Sequence, residues 1–385
     1  MKRRKVFRSR FISVCISILL VLASLVVGLL VVEGIGNAYG WALVNRTGRG
    51  HSAPYEMLDP QDINNWILRP GYQITLSEFM EVWKQNMVAV AIATKVVQKY
   101  GSSPDDVFFQ INEFGFKGPD IGKTKEPDTI RIMTIGDSCT FGHHYDWSSY
   151  SRTLERYLQN QGNQVEVINA GVEGYATWNV LSRLDYFMSF QPDIAIIYLG
   201  WNDLYTEPLG VKRLWSYRAF NYFIGRSLQA TVVREGMVYY TDHYYDSSTR
   251  EAHRYDSNYQ PTFLPQVRQI VSQLSENGVK PVVVTLPMAF SIDNPPSEET
   301  LKMCHLPVDV KNAYVLAVMV DKYNNALRLL ASEENIPLID LEEWAETELV
   351  PPESWFFDSV HLWSEGQMAI GDHIGERLIS LGLLK

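Results

Sequence analysis

From residue 129 onward the chain alternates two hydrophobic rhythms. Short, almost wholly apolar runs predict strands at IRIMTIG, which leads into the turn GDS, at QVEVINAG, at DIAIIYLG, at KPVVVTLP and at IPLIDLEEW. Between them, apolar positions recur every three or four residues. That spacing predicts helices over YSRTLERYLQNQG, NVLSRLDYFMSF, FLPQVRQIVSQLSENG and VKNAYVLAVMVDKYNNALRLLASEEN, and a closing helix over GQMAIGDHIGERLISLGLL. Strands without polar alternation are buried on both faces, so the pattern predicts an α/β domain with a parallel sheet under two layers of helices. An aromatic-rich insertion at about 205–258 interrupts the alternation once.

Upstream, residues 33–128 read as a membrane-proximal lead-in. Its turn clusters APYEMLDPQD and ILRPGYQ precede a predicted helix, SEFMEVWKQNMVAVAIATKVVQKY, and a strand-like stretch, VFFQINEFGFKGPDI. Residues 11–32 form an uncharged run of 22 positions, long enough for a helix across a bilayer core, which needs ~20. Residues 1–10 hold six Lys and Arg, so the positive-inside rule places the N-terminus in the cytoplasm and the body outside. A cleaved signal peptide would have a shorter apolar core, and GIGNAYGWA is a poor cleavage site, so an uncleaved signal anchor is the preferred reading. The expected organisation is a basic tail (1–10), a transmembrane helix (11–32), the lead-in (33–128) and a catalytic domain (129–385).

Composition narrows the function. Outside the basic tail, 28 basic residues face 44 acidic ones, which argues against a nucleic-acid partner. Of three cysteines, Cys15 lies in the apolar run, leaving Cys139 and Cys304 in the body. No Cys-x-x-Cys or Cys/His cluster suggests a metal, and no cofactor is implied.

In a parallel sheet, ligands bind beyond the carboxyl ends of the strands. Four clusters stand in such positions: Gly136-Asp137-Ser138, the run from Asn169 to Gly174, Gly200-Trp201-Asn202-Asp203, and Asp358-Ser359-Val360-His361. Cleaving an acyl ester needs a nucleophile, a base, a group to orient the base, and donors for the oxyanion. Ser138 supplies a hydroxyl at a strand-to-helix turn, with Cys139 beside it as a rival. His361 is the candidate base and Asp358, three residues before it, the group that holds the ring. Asp203 competes for that role. The Asn202 amide and the Gly174 N–H are candidate oxyanion donors. The pair His143 and His144 has no third ligand at metal spacing and is read as rim, Asp137 is read as support for the loop, and His305 has no motif around it.

These four blocks, in this order, resemble the SGNH (GDSL-like) hydrolase superfamily. GDSCTFG is similar to its nucleophile block, NAGVEGY to the second, GWND to the third and DSVHL to the last. The resemblance covers about 129–385, and NEFGFKGPD is similar to the segment leading into membrane-anchored members. It implies a three-layer α/β/α sandwich with a mostly parallel, flavodoxin-like sheet. It also implies a triad of Ser138, His361 and Asp358, with an oxyanion hole formed by Ser138, Gly174 and Asn202. Cys139 departs from the usual Leu, Ile or Phe and is read as packing. Tyr145, Trp147, Tyr175, Trp178, Trp201 and Tyr205 are candidates for an aromatic groove. The insertion adds Trp215, Tyr217, Tyr239, Tyr240, Tyr244 and Tyr245. The expected activity is ester cleavage on an acylated small molecule, glycan or lipid of the cell envelope. An O-acyltransferase and a non-catalytic scaffold are the alternatives.

Overall fold

The structure is a computed structural model that describes residues 14, 16–25, 27, 28, 31, 55–57, 66–82, 87–143, 145–206, 259–306 and 312–384. The expected span at 11–32 lies only partly within these residues, and Cys15, His144 and the insertion beyond residue 206 lie outside them. The described positions between 14 and 31 are helical and exposed. Among the described residues no helix is long and apolar enough to cross a membrane.

Residues 54–211 and 242–385 form one compact unit, so the lead-in from residue 54 belongs to the same body as the sheet. The lead-in opens with two small antiparallel pairs. β1 (Tyr55–Met57) lies beside β2 (Trp66–Leu68), and β3 (Gln73–Thr75) beside β4 (Val107–Gln110). Helices occupy Leu76–Val82 and Met87–Tyr100. The hairpin partners β1, β2 and β3 are too short, at three residues each, to show a period in the sequence.

The main sheet holds β5 (Ile130–Gly136), β6 (Val165–Gly171), β7 (Ile194–Tyr198), β8 (Lys280–Val284) and β9 (Leu338–Ile339). All four pairings are parallel and the order is β6-β5-β7-β8-β9. Burial explains the apolar runs: every residue of β7 is buried, and so is all of β5 after Ile130. Removing side chains such as Ile132, Ile135 and Ile196 from water stabilises the fold by about 1.5–3 kcal/mol each.

The chain crosses from β5 out to β6, then back over β5 to β7. Right-handed crossovers therefore place helix Tyr150–Asn160 and helix Thr177–Met188 on opposite faces. Helix Ser364–Ser380 joins the first of these, fitted so closely that a Cβ on Gly371 would stand 2.6 Å from the Tyr150 carbonyl oxygen. At the amino ends of the strands, buried Arg131 donates to Glu166, its register partner on β6, and to the carbonyls of Gly122, Lys123 and Phe190. This satisfies the guanidinium and fixes the end of the sheet opposite the four sequence clusters.

One predicted element divides. IPLIDLEEW is read from sequence as a strand, but β9 covers only Leu338–Ile339 and a helix runs over Leu341–Glu348. Asp340 caps that helix by accepting from the Glu343 N–H at 3.3 Å, with acids in its first turn. The Asp-x-x-Glu spacing carried that signal.

The order β6-β5-β7 reverses direction at β5, and this is where the turn after β5 folds down onto the sheet. A Cβ on Gly136 would meet Thr140 Oγ1 at 2.1 Å and the Tyr198 carbonyl at 2.3 Å, and one on Gly171 would meet the Phe141 nitrogen at 2.3 Å. Gly136→Ala and Gly171→Ala are each expected to destabilise the protein by about 3 kcal/mol or more, because backbone atoms must move. Urea unfolding followed by far-UV circular dichroism measures this, and losses under 1 kcal/mol would refute the close-packing account.

Candidate active site

The turn after β5 places Ser138 at the start of the short helix Ser138–Phe141. Asp137 precedes it, fully buried, and its carboxylate accepts from the Cys139 N–H at 2.9 Å. Burial pushes the Asp137 carboxyl up to about 7, against the Cys139 N–H and the His361 charge, which pull it down. Asp137 therefore braces the turn, as read from the sequence.

The Ser138 hydroxyl lies 2.8 Å from His361 Nε2, and His361 Nδ1 lies 2.7 Å from Asp358 Oδ2. The other Asp358 oxygen accepts the backbone N–H groups of Val360 at 2.8 Å and His361 at 2.7 Å. Burial alone would raise the Asp358 pKa, but the His361 charge and hydrogen bond, His305 and the backbone amide outweigh it and hold the carboxyl down at about 2. An ionised Asp358 keeps the proton on Nδ1, so Nε2 is the acceptor facing Ser138. The ring itself is disfavoured as a cation by burial, yet Asp358, aided by Asp137 and Glu173, moves its pKa above the ordinary 6.5. Phe357 stacks on the imidazole, with centroids 5.4 Å apart and planes 8° from parallel.

The second and third blocks meet beside this line. The Asn202 amide donates to the Tyr175 carbonyl at 3.0 Å, one residue beyond Gly174. Gly174 has φ +80, a conformation that favours glycine. Neither the Ser138 nor the Gly174 N–H donates to a partner among the described residues. Asp203 is buried and accepts from the Thr177 N–H at 3.0 Å and hydroxyl at 2.8 Å, so it fastens the third block to the helix after the second. Its carboxylate is committed there rather than to His361.

Cys139 and Cys304 are buried free thiols. Burial, then Asp137 and Asp358, raise the Cys139 pKa, which keeps it a thiol, and its Sγ points to the Val360 carbonyl at 3.6 Å. Among the described residues no group of three or more His, Cys, Asp or Glu is placed to hold a metal ion.

The expected aromatic groove does not assemble as read. Tyr145, Tyr175 and Trp201 are 3%, 2% and 2% exposed, and their rings are taken up in packing. Tyr145 stacks on Trp147 and meets Phe108 edge-on, while Trp147 also meets Tyr100, so this pair docks the lead-in. Trp178 is exposed on the helix after the second block. The Tyr205 hydroxyl donates to the His305 carbonyl at 2.8 Å, and its ring is 5.2 Å from that of His305. The insertion aromatics lie outside the described residues.

Several neighbours of the triad are given no part in the reaction by sequence: His143 reads as rim and His305 as a residue without a motif. The His143 ring is 5.0 Å from that of His361, and its Nδ1 lies 2.8 Å from the Glu173 carboxylate. Burial pushes Glu173 up to about 7, while His361 pulls it down. The His305 ring centroid is 6.5 Å from that of His361, and its backbone exchanges hydrogen bonds with the Ser359 hydroxyl. Lys117, from the NEFGFKGPD stretch, is fully buried. It donates from Nζ to the Gly142 carbonyl and from its backbone to Asn169, and burial lowers its pKa to about 8 against the opposing charge of Asp146. The histidine pair draws notice to His143 without a role, and only proximity to a block could have flagged Glu173. His305 and Lys117 carried no such signal.

The GDSL-like Lipase/Acylhydrolase family matches residues 134–369, well over half of the 385-residue chain. The chain belongs to this family. It is an ester-hydrolysing enzyme with the family's α/β fold. Among solved structures, the acylhydrolase is similar to a lipase/acylhydrolase from Enterococcus faecalis at 17% identity and TM-score 0.42, covering 66% of this chain and 97% of that one. It is also similar to an acetylxylan esterase from Geobacillus stearothermophilus, at 15% identity and TM-score 0.40 with 65% and 94% covered. Likenesses this distant say nothing of substrate. A comparison with curated proteins finds no match.

The geometry predicts a titration. Because the Asp358 charge favours imidazolium, the His361 ring of this acylhydrolase is expected to lose its proton above pH 6.5, and in Asp358→Asn at a lower pH than in the wild type. Imidazole NMR of the two proteins measures both midpoints. An unchanged midpoint in the variant would remove Asp358 as the source of the shift.

Proposed function

We propose that this acylhydrolase is a serine esterase working through an acyl-enzyme on Ser138. The continuous line from the Ser138 hydroxyl through both nitrogens of His361 to Asp358, at 2.8 and 2.7 Å, carries the reading. His361 takes the hydroxyl proton as Ser138 attacks the acyl carbonyl, and Asp358 stabilises the imidazolium that forms. The Ser138 and Gly174 N–H groups and the Asn202 amide receive the oxyanion. The imidazolium then protonates the departing alcohol, and a water activated by His361 releases the acid. No block is damaged, which weighs against a non-catalytic scaffold.

An acylated cell-envelope glycan or lipid is the proposed substrate. Its support is the apolar run at 11–32 behind a basic tail, which we read as an uncleaved anchor with the N-terminus in the cytoplasm and the catalytic body outside. An O-acyltransferase would use the same acyl-enzyme, with a sugar hydroxyl replacing water in the second step.

Probe labelling, product analysis and membrane fractionation test these statements. A fluorophosphonate probe is expected to label the wild type and Cys139→Ala but not Ser138→Ala. Labelling lost in a folded Cys139→Ala and kept in Ser138→Ala would overturn the assignment. On the same protein, acetate release from p-nitrophenyl acetate should match nitrophenol release even with an added xylo-oligosaccharide, whereas acetyl transfer to that sugar would select the transferase. For location, the full chain should stay with membranes after carbonate extraction, and its body should be cut by protease added from outside the cytoplasmic membrane. Soluble, protected chain would refute the anchor.

A further inference from the structure

The lead-in reaches the second block of the site at Trp66, on β2. Its indole Nε1 donates to the Glu173 carbonyl oxygen at 3.3 Å. That carbonyl shares a peptide unit with the Gly174 N–H. The peptide is trans, since Val350–Pro351 is the cis bond found among the described residues. In a trans peptide the C=O and N–H point in opposite directions across one plane, so fixing the carbonyl fixes the N–H.

This peptide needs fixing. Gly174 at φ +80 lacks the side chain that would restrict rotation of the unit before it. The Trp66 ring also closes the space over the glycine, with Cζ2 3.0 Å from where a Cβ would stand. Tyr175 holds the tryptophan in turn: its hydroxyl donates to the Trp66 carbonyl at 2.6 Å and the two rings meet edge-on at 5.7 Å. On the other side the Glu173 carboxylate is paired with His143 at 2.8 Å. The residue carrying the carbonyl is thus held by backbone and side chain at once.

We propose that Trp66 is a positioning residue for ester cleavage: its indole N–H orients the Glu173–Gly174 peptide so that the Gly174 N–H is presented to the oxyanion. A hydrogen bond to the carbonyl also polarises the amide and makes its N–H a stronger donor. Donors preset toward developing charge need no reorganisation during the reaction. The inference rests on the reading of Gly174 as an oxyanion donor to the Ser138 acyl-enzyme.

The test uses the full chain with Trp66→Phe, and with Trp66 replaced by 3-benzothienylalanine, which keeps both rings and puts sulfur in place of the N–H. Both are expected to lower kcat for p-nitrophenyl acetate about tenfold, a fraction of the ~10²–10³ lost when an oxyanion donor is removed outright. KM should move less than twofold, and inhibition by butylboronic acid, which mimics the tetrahedral state, should weaken in step with kcat. A merely structural tryptophan would instead lower the melting temperature or raise KM with kcat kept. The inference fails if the benzothienyl protein retains full kcat, or if only KM changes. Ser138→Ala separates the two levels: an active Ser138→Ala sinks the underlying reading, whereas an inactive one beside a fully active benzothienyl protein sinks the role of Trp66 alone.

Discussion

The site depends on one steric constraint: the helix carrying Ser138 lies directly on the ends of three strands. Backbone from β5, β6 and β7 meets it with no room for a Cβ at Gly136 or Gly171. Once the helix is seated there, its C-terminal carbonyls face the sheet and need donors. Asn169, at the end of β6, supplies them by donating to the Thr140 carbonyl at 3.0 Å while accepting from the Gly171 N–H at 3.0 Å. The second block is therefore as much a clamp on the nucleophile as a source of the Gly174 N–H.

That clamp extends into the lead-in. Lys117 donates its backbone N–H to the Asn169 carbonyl at 3.2 Å and its ammonium to the Gly142 carbonyl, just beyond the nucleophile helix. The ammonium lies 4.5 Å from the Phe141 ring centroid and 3.9 Å from Asp146. A cation taken out of water is costly unless carbonyls, a carboxylate and a ring face surround it, and Lys117 has all three. Trp66 makes a second crossing from lead-in to site at Glu173. Residues 66–117 are thus part of the architecture that holds the reactive groups, not a spacer before it.

The contrast between what sequence showed and what it hid follows from this arrangement. β5, β7 and β8 are buried on both faces and so read as unbroken apolar runs. Ser138 and Asn202 follow the ends of β5 and β7, and Asp358 and His361 lie in the loop before the closing helix, where polar residues interrupt the apolar pattern and draw notice. The aromatic groove misread has the opposite cause. An aromatic next to a block can face the core or the cleft, and one-dimensional spacing does not distinguish them. Tyr145, Tyr175 and Trp201 turned inward. His305 reaches the triad through a loop more than fifty residues before Asp358 in the chain, a pairing made by tertiary structure alone.

Electrostatics then sorts the acids around one histidine. Asp137, Glu173 and Asp358 all bear on the His361 charge. Burial lifts Asp137 and Glu173 to about 7, where each is ionised only in part near neutral pH. Asp358 is lowered to about 2 because it alone of the three has a direct hydrogen bond to the ring, supplemented by two backbone N–H groups. Opposite charge at contact thus outweighs desolvation at Asp358, while at the other two it does not. The partner on Nδ1 is thus the strongest of the three acids and the main electrostatic support for a proton on His361. Further negative charge at Asp137 or Glu173 acts in the same direction as Asp358, favouring the imidazolium.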